Sequence, residues 1–283
     1  MTTQLILLGT SSPRVFPNKV QTSFLLKIDG MLYMIDAGTG AHERLIQACD
    51  KYSGLDNEGV LESIDLHHIF LTHLHPDHTV GLPPMIISPY VIGREGPLNI
   101  YGPKGTQIMC DHILAAFDVG LHELEFHGPR DIEPVNLDIT EIEEGIIFKD
   151  ERLELEAIRV VHGNLEAYAF KAVTADKTIF FSGDTCPVDI LVEKAKGCDI
   201  LIHEVYYGPG MATVPGRWQE YFTRVHTSGL EVGQIASKVN PGLLILNHQM
   251  VYGGFTDGDL VQEVRDGGYT GELVSGQDLQ IFS

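Results

Sequence analysis

Six consecutive residues, His73 to His78, carry three imidazoles and one carboxylate in the sequence H-L-H-P-D-H. Crowding such groups together adds little to the stability of a soluble protein. Neutral imidazole nitrogens and carboxylate oxygens are, however, good ligands for zinc and related metals. The alternative is a polar loop with surface histidines. We therefore predict a metal site built on this loop.

The segment before the loop, 65–72, is rich in β-branched and aromatic residues and contains no breaker, which predicts a strand. In extended backbone, residues two apart point the same way, so His73 and His75 can face one metal together. The proline that follows suits the first turn of a helix. This turn would bring Asp77 and His78 to a second metal position nearby.

Metal binding requires ligands from other parts of the chain, and loops at strand ends commonly carry functional residues. Three ligand-type residues follow closely on predicted strands: His162 after 153–161, Asp184 after 178–181 and His248 after 243–246. Taken singly, a histidine in such a position is more often structural. Together with the loop they give seven ligands, enough for two metal ions. We expect His73, His75 and His162 in one shell, Asp77, His78 and His248 in the other, and Asp184 as a bridge.

The rest of the chain alternates predicted strands and helices without a low-complexity linker, which favours one layered α/β domain over residues 1–283. The other predicted strands are 5–8, 22–28, 31–36, 98–101, 146–148, 167–173, 200–203, 273–274 and 279–282. The predicted helices are 41–52, about 105–117, and 228–239. Loops are expected at 54–59 and 208–216.

The formal net charge of −20 repels nucleic acid backbones and anionic membranes at long range, so we expect a small-molecule substrate. The four cysteines form no C-x-x-C pair and are expected to be reduced. No transmembrane run or signal peptide is visible, which favours a cytoplasmic protein, or a periplasmic one if a leader has been removed. A homodimer is left open.

The order of these ligands resembles the dinuclear signature of the metallo-β-lactamase superfamily. Five short segments resemble the ribonuclease Z-like and arylsulfatase-like branch of this superfamily: L-G-T at 8–10, I-D-A-G at 35–38, Y-G-P-K-G at 101–105, I-H-E at 202–204 and H-T-S at 226–228. The resemblance implies a four-layer αββα sandwich and a hydrolytic site with two zinc ions. Manganese and iron are the alternative metals.

The resemblance also implies two further site residues. His226, in the H-T-S segment, would lie beside the leaving group. Glu204 would orient this histidine, as outer-shell carboxylates do. The alternatives are that His226 merely neighbours a helix cap and that Glu204 is a solvated strand-end acid. Asp36 either supports the metal loop from behind or caps its own turn.

The sequence departs from ribonuclease Z in one region that matters for substrate. That enzyme carries a long tRNA-grasping arm between the third ligand and the bridging aspartate, whereas His162 and Asp184 are joined here by a short stretch. With the acidic charge, this disfavours tRNA processing. Segment 206–222, which contains Trp218 and Tyr221, is predicted to be a loop over a smaller substrate or an aromatic cluster on the core.

We therefore predict a hydrolase in which a metal-bridging hydroxide attacks a small phosphodiester or related ester. Asp77 would orient the water and accept its proton, and His226 would protonate the leaving oxygen. Lactones, sulfate esters and thioesters are the alternative substrates. A redox enzyme is disfavoured by the imidazole at His75, where di-iron relatives use a carboxylate. A non-catalytic scaffold is disfavoured because all seven ligands are present.

Overall fold

The computed structural model describes residues 2–14, 16–52, 63–128 and 134–283. The loop predicted at 54–59 lies outside the described residues. The strands are β1 Thr3–Gly9, β2 Ser23–Ile28, β3 Met31–Ile35, β4 Leu66–Phe70, β5 Leu98–Gly102, β6 Leu137–Glu141, β7 Gly145–Lys149, β8 Glu154–Arg159, β9 Tyr168–Val173, β10 Thr178–Phe181, β11 Ile200–Tyr206, β12 Leu243–Met250, β13 Leu273–Ser275 and β14 Ile281–Phe282. The helices are α1 Ala41–Tyr52, α2 Pro76–Thr79, α3 Leu82–Ile92, α4 Thr106–His127, α5 Asp189–Ala195, α6 Gly208–Met211, α7 Gly216–Val225, α8 Gly229–Val239 and α9 Asp257–Asp266.

Two seven-stranded mixed sheets form the centre of the molecule, in the orders β14-β1-β2-β3-β4-β5-β6 and β13-β12-β11-β10-β9-β8-β7. Their facing sides bury one apolar cluster that includes Leu5, Tyr33, Phe70, Phe170 and Phe181, each at most 1% exposed. Removing this apolar surface from water is what holds the sheets face to face.

Helices cover the outer side of each sheet. On the first sheet, α1, α3 and α4 bury Leu45, Met85 and Cys110. On the second, α5, α8 and α9 complete a third cluster that includes Leu191 and Val264. The expected four-layer αββα metallo-β-lactamase fold is confirmed.

The topology brings one set of strand ends to a single edge. Strands β3 to β6 run parallel to one another, as do β10 to β13, and β8 runs in the same direction as β10 because both are antiparallel to β9. The two sheets are joined at this edge, where the backbone N–H of Tyr168 donates to the carbonyl of Thr72 at 2.9 Å. Residues that follow β4, β8 and β10, and residues near the end of β12, therefore converge there.

Several predicted elements differ from the structure. The segment 208–216 was predicted to be a loop, but it forms α6 and the beginning of α7. Helix α3 was not predicted. It packs on both α1 and the turn before β4, so its apolar residues do not lie on one face, and its sequence lacks the periodicity that indicates an amphipathic helix. Among the described helices, none combines the length and the apolar character needed to cross a lipid bilayer.

Candidate active site

The H-L-H-P-D-H loop is held from behind by Asp36. Its carboxylate accepts hydrogen bonds from the backbone N–H and the hydroxyl of Thr72, both at 2.8 Å, and from Nδ1 of His78 at 2.8 Å. Since the Thr72 hydroxyl donates to Asp36, it accepts from Nδ1 of His73 at 3.0 Å. Asp36 thus supports the loop, and both imidazoles are left with Nε2 for another partner.

Three imidazole nitrogens from two parts of the chain meet at one point. Nδ1 of His75 lies 3.1 Å from Nε2 of His73 and 3.0 Å from Nε2 of His162. The His162 ring is oriented by its Nδ1–H, which donates to the carbonyl of Val225 at 2.8 Å. With a carboxylate oxygen of Asp184, these nitrogens all lie within 4.8 Å of one another. We refer to these four residues as the first cluster.

The chemistry of the first cluster suits a cation. Burial lowers the pKa of His73 well below its ordinary value and also lowers the pKa values of His75 and His162. All three rings are therefore neutral near pH 7, and their lone-pair nitrogens converge. A divalent metal ion with a preference for nitrogen ligands relieves this convergence.

The second cluster contains Asp77, His78 and His248, whose ligand atoms also lie within 4.8 Å of one another. Nε2 of His248 is 3.1 Å from Oδ2 of Asp77, and Nε2 of His78 is 3.7 Å from the same oxygen. Asp77 and His78 belong to α2, which begins at Pro76 as the sequence predicted. All three residues are buried, at 5%, 1% and 2% exposure.

His248 reaches this cluster through a β-bulge. The sequence predicted that this strand ends before His248, but β12 continues to Met250. Glu204 of β11 pairs with Asn247 and Val205 with Gln249, so His248 is the extra residue. Its φ of 47° is unusual for a residue other than glycine. The bulge redirects the side chain towards the site without ending the strand.

The second cluster differs from the first in its charges. Burial alone would lower the pKa of His78, but the carboxylates of Asp184 and Asp36 outweigh burial and raise it well above its ordinary value. Burial is likewise outweighed at His248, whose pKa is raised by Asp184 and Asp77. These carboxylates are a counter-charge for a cation at this position.

Asp184 faces both clusters. Its Oδ2 lies 3.8 Å from Nε2 of His73, 3.8 Å from Nε2 of His162 and 3.3 Å from Nε2 of His248, while its Oδ1 lies 3.5 Å from Nε2 of His78. Burial raises the pKa of this carboxyl, but the surrounding imidazoles reverse the effect and hold the pKa well below its ordinary value. The carboxylate is therefore charged and placed between two sets of nitrogen ligands.

Gly183 makes this position of Asp184 attainable. Its φ is +57°, and a Cβ at this residue would lie 2.5 Å from the carbonyl oxygen of Tyr168. A side chain here would push the turn after β10 away from the start of β9, the neighbouring strand of the same sheet. The glycine of the S-G-D-T sequence is thus a steric requirement of the site.

His226 and Glu204 form a hydrogen-bonded pair beside the two clusters, here called the acid dyad. Nδ1 of His226 donates to Oε1 of Glu204 at 3.1 Å, and the backbone N–H groups of Thr227 and Thr185 donate to the same oxygen at 3.2 and 3.1 Å. Nδ1 of His226 is also 3.9 Å from Oδ2 of Asp184.

The helix cap expected near His226 is present as well, because Ser228 caps α8 in a capping box with Glu231. The cap and the dyad are therefore two consequences of the same H-T-S segment. Glu204 is 3% exposed, so it is not a solvated strand-end acid.

Aromatic side chains from α7 pack against the acid dyad. The ring of Phe222 lies 5.5 Å from that of His226 and 5.9 Å from that of Tyr252, while Trp218 and Tyr221 lie 6.2 and 6.1 Å from Phe222. Trp218 is 46% exposed. The predicted loop over the substrate is thus a helix, and Tyr252, which sequence reasoning did not single out, completes the aromatic group.

The fold and the buried histidine and aspartate clusters define the class of protein: a metal-dependent hydrolase with the metallo-β-lactamase fold. Residues 3–220 match the family of the anti-Pycsar protein Apyc1. The chain belongs to this family.

Curated relatives at greater distance include the ribonuclease Z of Mycobacterium sp. strain KMS. It is 26% identical over 250 residues, which cover 87% of this chain and 84% of that protein. The ribonuclease Z of Mycobacterium marinum strain ATCC BAA-535 / M is also 26% identical, over 254 residues covering 87% and 85%. The expected relationship to the ribonuclease Z-like branch is confirmed.

Solved structures share the fold over the whole chain. The metallo-β-lactamase fold protein YhfI from Bacillus subtilis superimposes with a TM-score of 0.75 at 17% identity and covers 100% of both chains. Human tRNase Z, short form, gives a TM-score of 0.67 at 20% identity and covers 99% of this chain and 98% of that one.

Proposed function

We propose that this protein hydrolyses small phosphodiesters, with cyclic mononucleotides as its substrate class, at a site that holds two zinc ions. The observation that carries the proposal is the position of Asp184, whose carboxylate lies within 3.8 Å of imidazole nitrogens from both clusters. Membership in the Apyc1 family, a family of cyclic nucleotide phosphodiesterases, supports the choice of substrate.

In this proposal the ligands divide between the two metal ions as the sequence predicted. His73, His75 and His162 would hold one ion, Asp77, His78 and His248 would hold the other, and the carboxylate of Asp184 would be available to either. Metal ions bound by these residues would activate water near neutral pH and would stabilise negative charge on phosphoryl oxygens.

Asp77 and His226 then move the protons. The carboxylate of Asp77 would orient the attacking water and accept its proton, and the water oxygen would form a bond to phosphorus. One of the two phosphorus–oxygen bonds of the cyclic phosphate breaks. The departing ribose oxygen is an alkoxide, a poor leaving group, so it requires the proton that His226 donates. Glu204 would fix the orientation of His226 through their hydrogen bond.

The surroundings of the site support a small substrate that carries a base. Tyr221, Phe222 and Tyr252 are partly exposed and lie beside the acid dyad, where aromatic faces can stack on a nucleobase. The connection from His162 to Asp184 is taken up by β9 and β10, so a tRNA-grasping arm has no place there. The net charge of −20 also opposes a polyanionic substrate.

The test is a substrate panel with the zinc-loaded protein: cyclic mononucleotides, a precursor tRNA, a sulfate ester, a lactone and a thioester. We expect cyclic mononucleotides to be opened to nucleoside monophosphates with the highest kcat/KM. The Asp77→Ala variant serves as the inactive control. Cleavage of precursor tRNA, or strong lactone hydrolysis without phosphodiester hydrolysis, would overturn the proposed substrate.

A further inference from the structure

A buried carboxylate on α9 lies behind the acid dyad. Glu263 is 7% exposed, and the backbone N–H of Gly208 donates to its carboxylate oxygens at 3.2 and 3.0 Å. Gly229 also lies against this carboxylate, since a Cβ at this residue would meet Oε2 of Glu263 at 2.5 Å. Gly208 is the first residue of α6 and Gly229 is the first residue of α8, so one side chain from α9 joins the starts of two other helices.

Each of these helices directly follows one member of the dyad. Gly208 comes four residues after Glu204, and Gly229 comes three residues after His226. The two segments run side by side, since the backbone N–H of Tyr206 donates to the carbonyl of Thr227 at 3.0 Å. The hydrogen bond between His226 and Glu204 joins the two segments at one end, and the carboxylate of Glu263 lies against both of them at the other end.

The contact is also sterically specific. A Cβ at Gly208 would lie 2.5 Å from Oε1 of Glu263, and a Cβ at Gly229 would lie 2.5 Å from Oε2. The absence of a Cβ at both positions lets the carboxylate lie against the two glycines in this way. The two glycines and the glutamate therefore form one unit.

Burial raises the pKa of the Glu263 carboxyl above its ordinary value, although the N–H groups of Gly208 and Gly229 favour the charged form. A carboxamide has one acceptor oxygen and one donor NH₂ group in place of two acceptor oxygens, so it cannot accept from the N–H of Gly208 with both of its terminal atoms. A glutamine at this position would leave one helix start without its partner.

We infer that Glu263 is a positioning residue for the acid dyad: it fixes the two segments that carry Glu204 and His226, and thereby the placement of the proton donor. The inference rests on the proposed acid role of His226. Glu263 itself touches neither substrate nor metal ligands in this scheme.

The test uses Glu263→Gln in the zinc-loaded protein, with an alkyl phosphodiester and a nitrophenyl phosphodiester as substrates. We expect kcat on the alkyl ester to fall about tenfold, as for other outer-shell changes. The nitrophenyl ester should be nearly unaffected, because a nitrophenolate departs without a proton. Metal content should stay the same. The Gly229→Ala variant, which displaces the carboxylate without removing it, should show the same bias.

Asp259→Asn is the matched control. Asp259 lies one turn earlier on α9 and caps that helix by accepting from Thr256, so its loss weakens α9 without touching the dyad. We expect it to lower the Tm without any preference between leaving groups. An equal loss on both esters in Glu263→Gln, or the same bias in Asp259→Asn, would overturn the inference.

Two further measurements separate this inference from the proposed function. In a His226→Ala background, Glu263→Gln should have no further effect, whereas an additive effect would show that Glu263 acts elsewhere. If His226→Ala alone shows no leaving-group bias, the acid role in the proposed function fails. The positioning role is then decided by a crystal structure of Glu263→Gln, in which an unchanged contact between His226 and Glu204 would refute it.

Discussion

The metal centre and the acid dyad are built in different ways. The proposed metal ligands lie in the loop after β4, which Asp36 holds from behind, after β8 and β10, or in the bulge of β12. The dyad lies instead where segment 204–208 runs beside segment 226–229, and these segments depend on contacts with α9. Because the two regions depend on different contacts, substitutions should separate metal binding from proton delivery.

The largest effect is expected at the one residue that belongs to metal binding and proton transfer together. Asp77→Ala removes a ligand and the proton acceptor, so kcat/KM should fall by several orders of magnitude. Loss of a general base alone typically costs about 10²–10⁴-fold. Asp118→Ala, which removes an exposed carboxylate from α4, should leave activity unchanged. Near-native turnover of a fully metallated Asp77→Ala protein would show that this role is wrong.

A smaller and selective effect is expected in the acid dyad. His226→Ala should reduce hydrolysis of an alkyl phosphodiester about 10²-fold more than that of a nitrophenyl phosphodiester, because only the alkoxide needs a proton. Steady-state rates on the two esters, together with elemental analysis, measure this. The surface histidine variant His122→Ala is the control. Equal losses on both esters would remove His226 from the acid role.

The smallest of these effects is expected at Glu204. Glu204→Gln keeps an oxygen that can accept from His226 and Thr227 but removes the negative charge, so the alkyl ester should be hydrolysed about tenfold more slowly. Metal content should not change. Glu156→Gln, which removes a carboxylate that pairs with Lys194 on the outer face, controls for a general loss of charge. If Glu204→Gln instead lost metal, the separation of the dyad from the metal centre would be wrong.

The two regions also differ in how far the sequence could predict them. The two histidine and aspartate clusters could be predicted because four of their residues lie within six positions of the chain, and the others lie after or near the end of apolar strands. The bulge at His248 was not predictable, since it depends on pairing between β11 and β12. Neither was the role of Glu263, whose partners Gly208 and Gly229 are 55 and 34 residues away in the chain. Segment 208–216 was predicted to be a loop because it is rich in glycine and proline, but these residues lie at the beginnings of α6 and α7.

Metal content tests the central claim most directly. Elemental analysis of gently purified protein should find two metal ions per chain, and His78→Ala or His248→Ala should lower this number towards one. His226→Ala, in the dyad, should leave it at two. A single tightly bound metal whose amount is unchanged in His78→Ala and His248→Ala would contradict the dinuclear site.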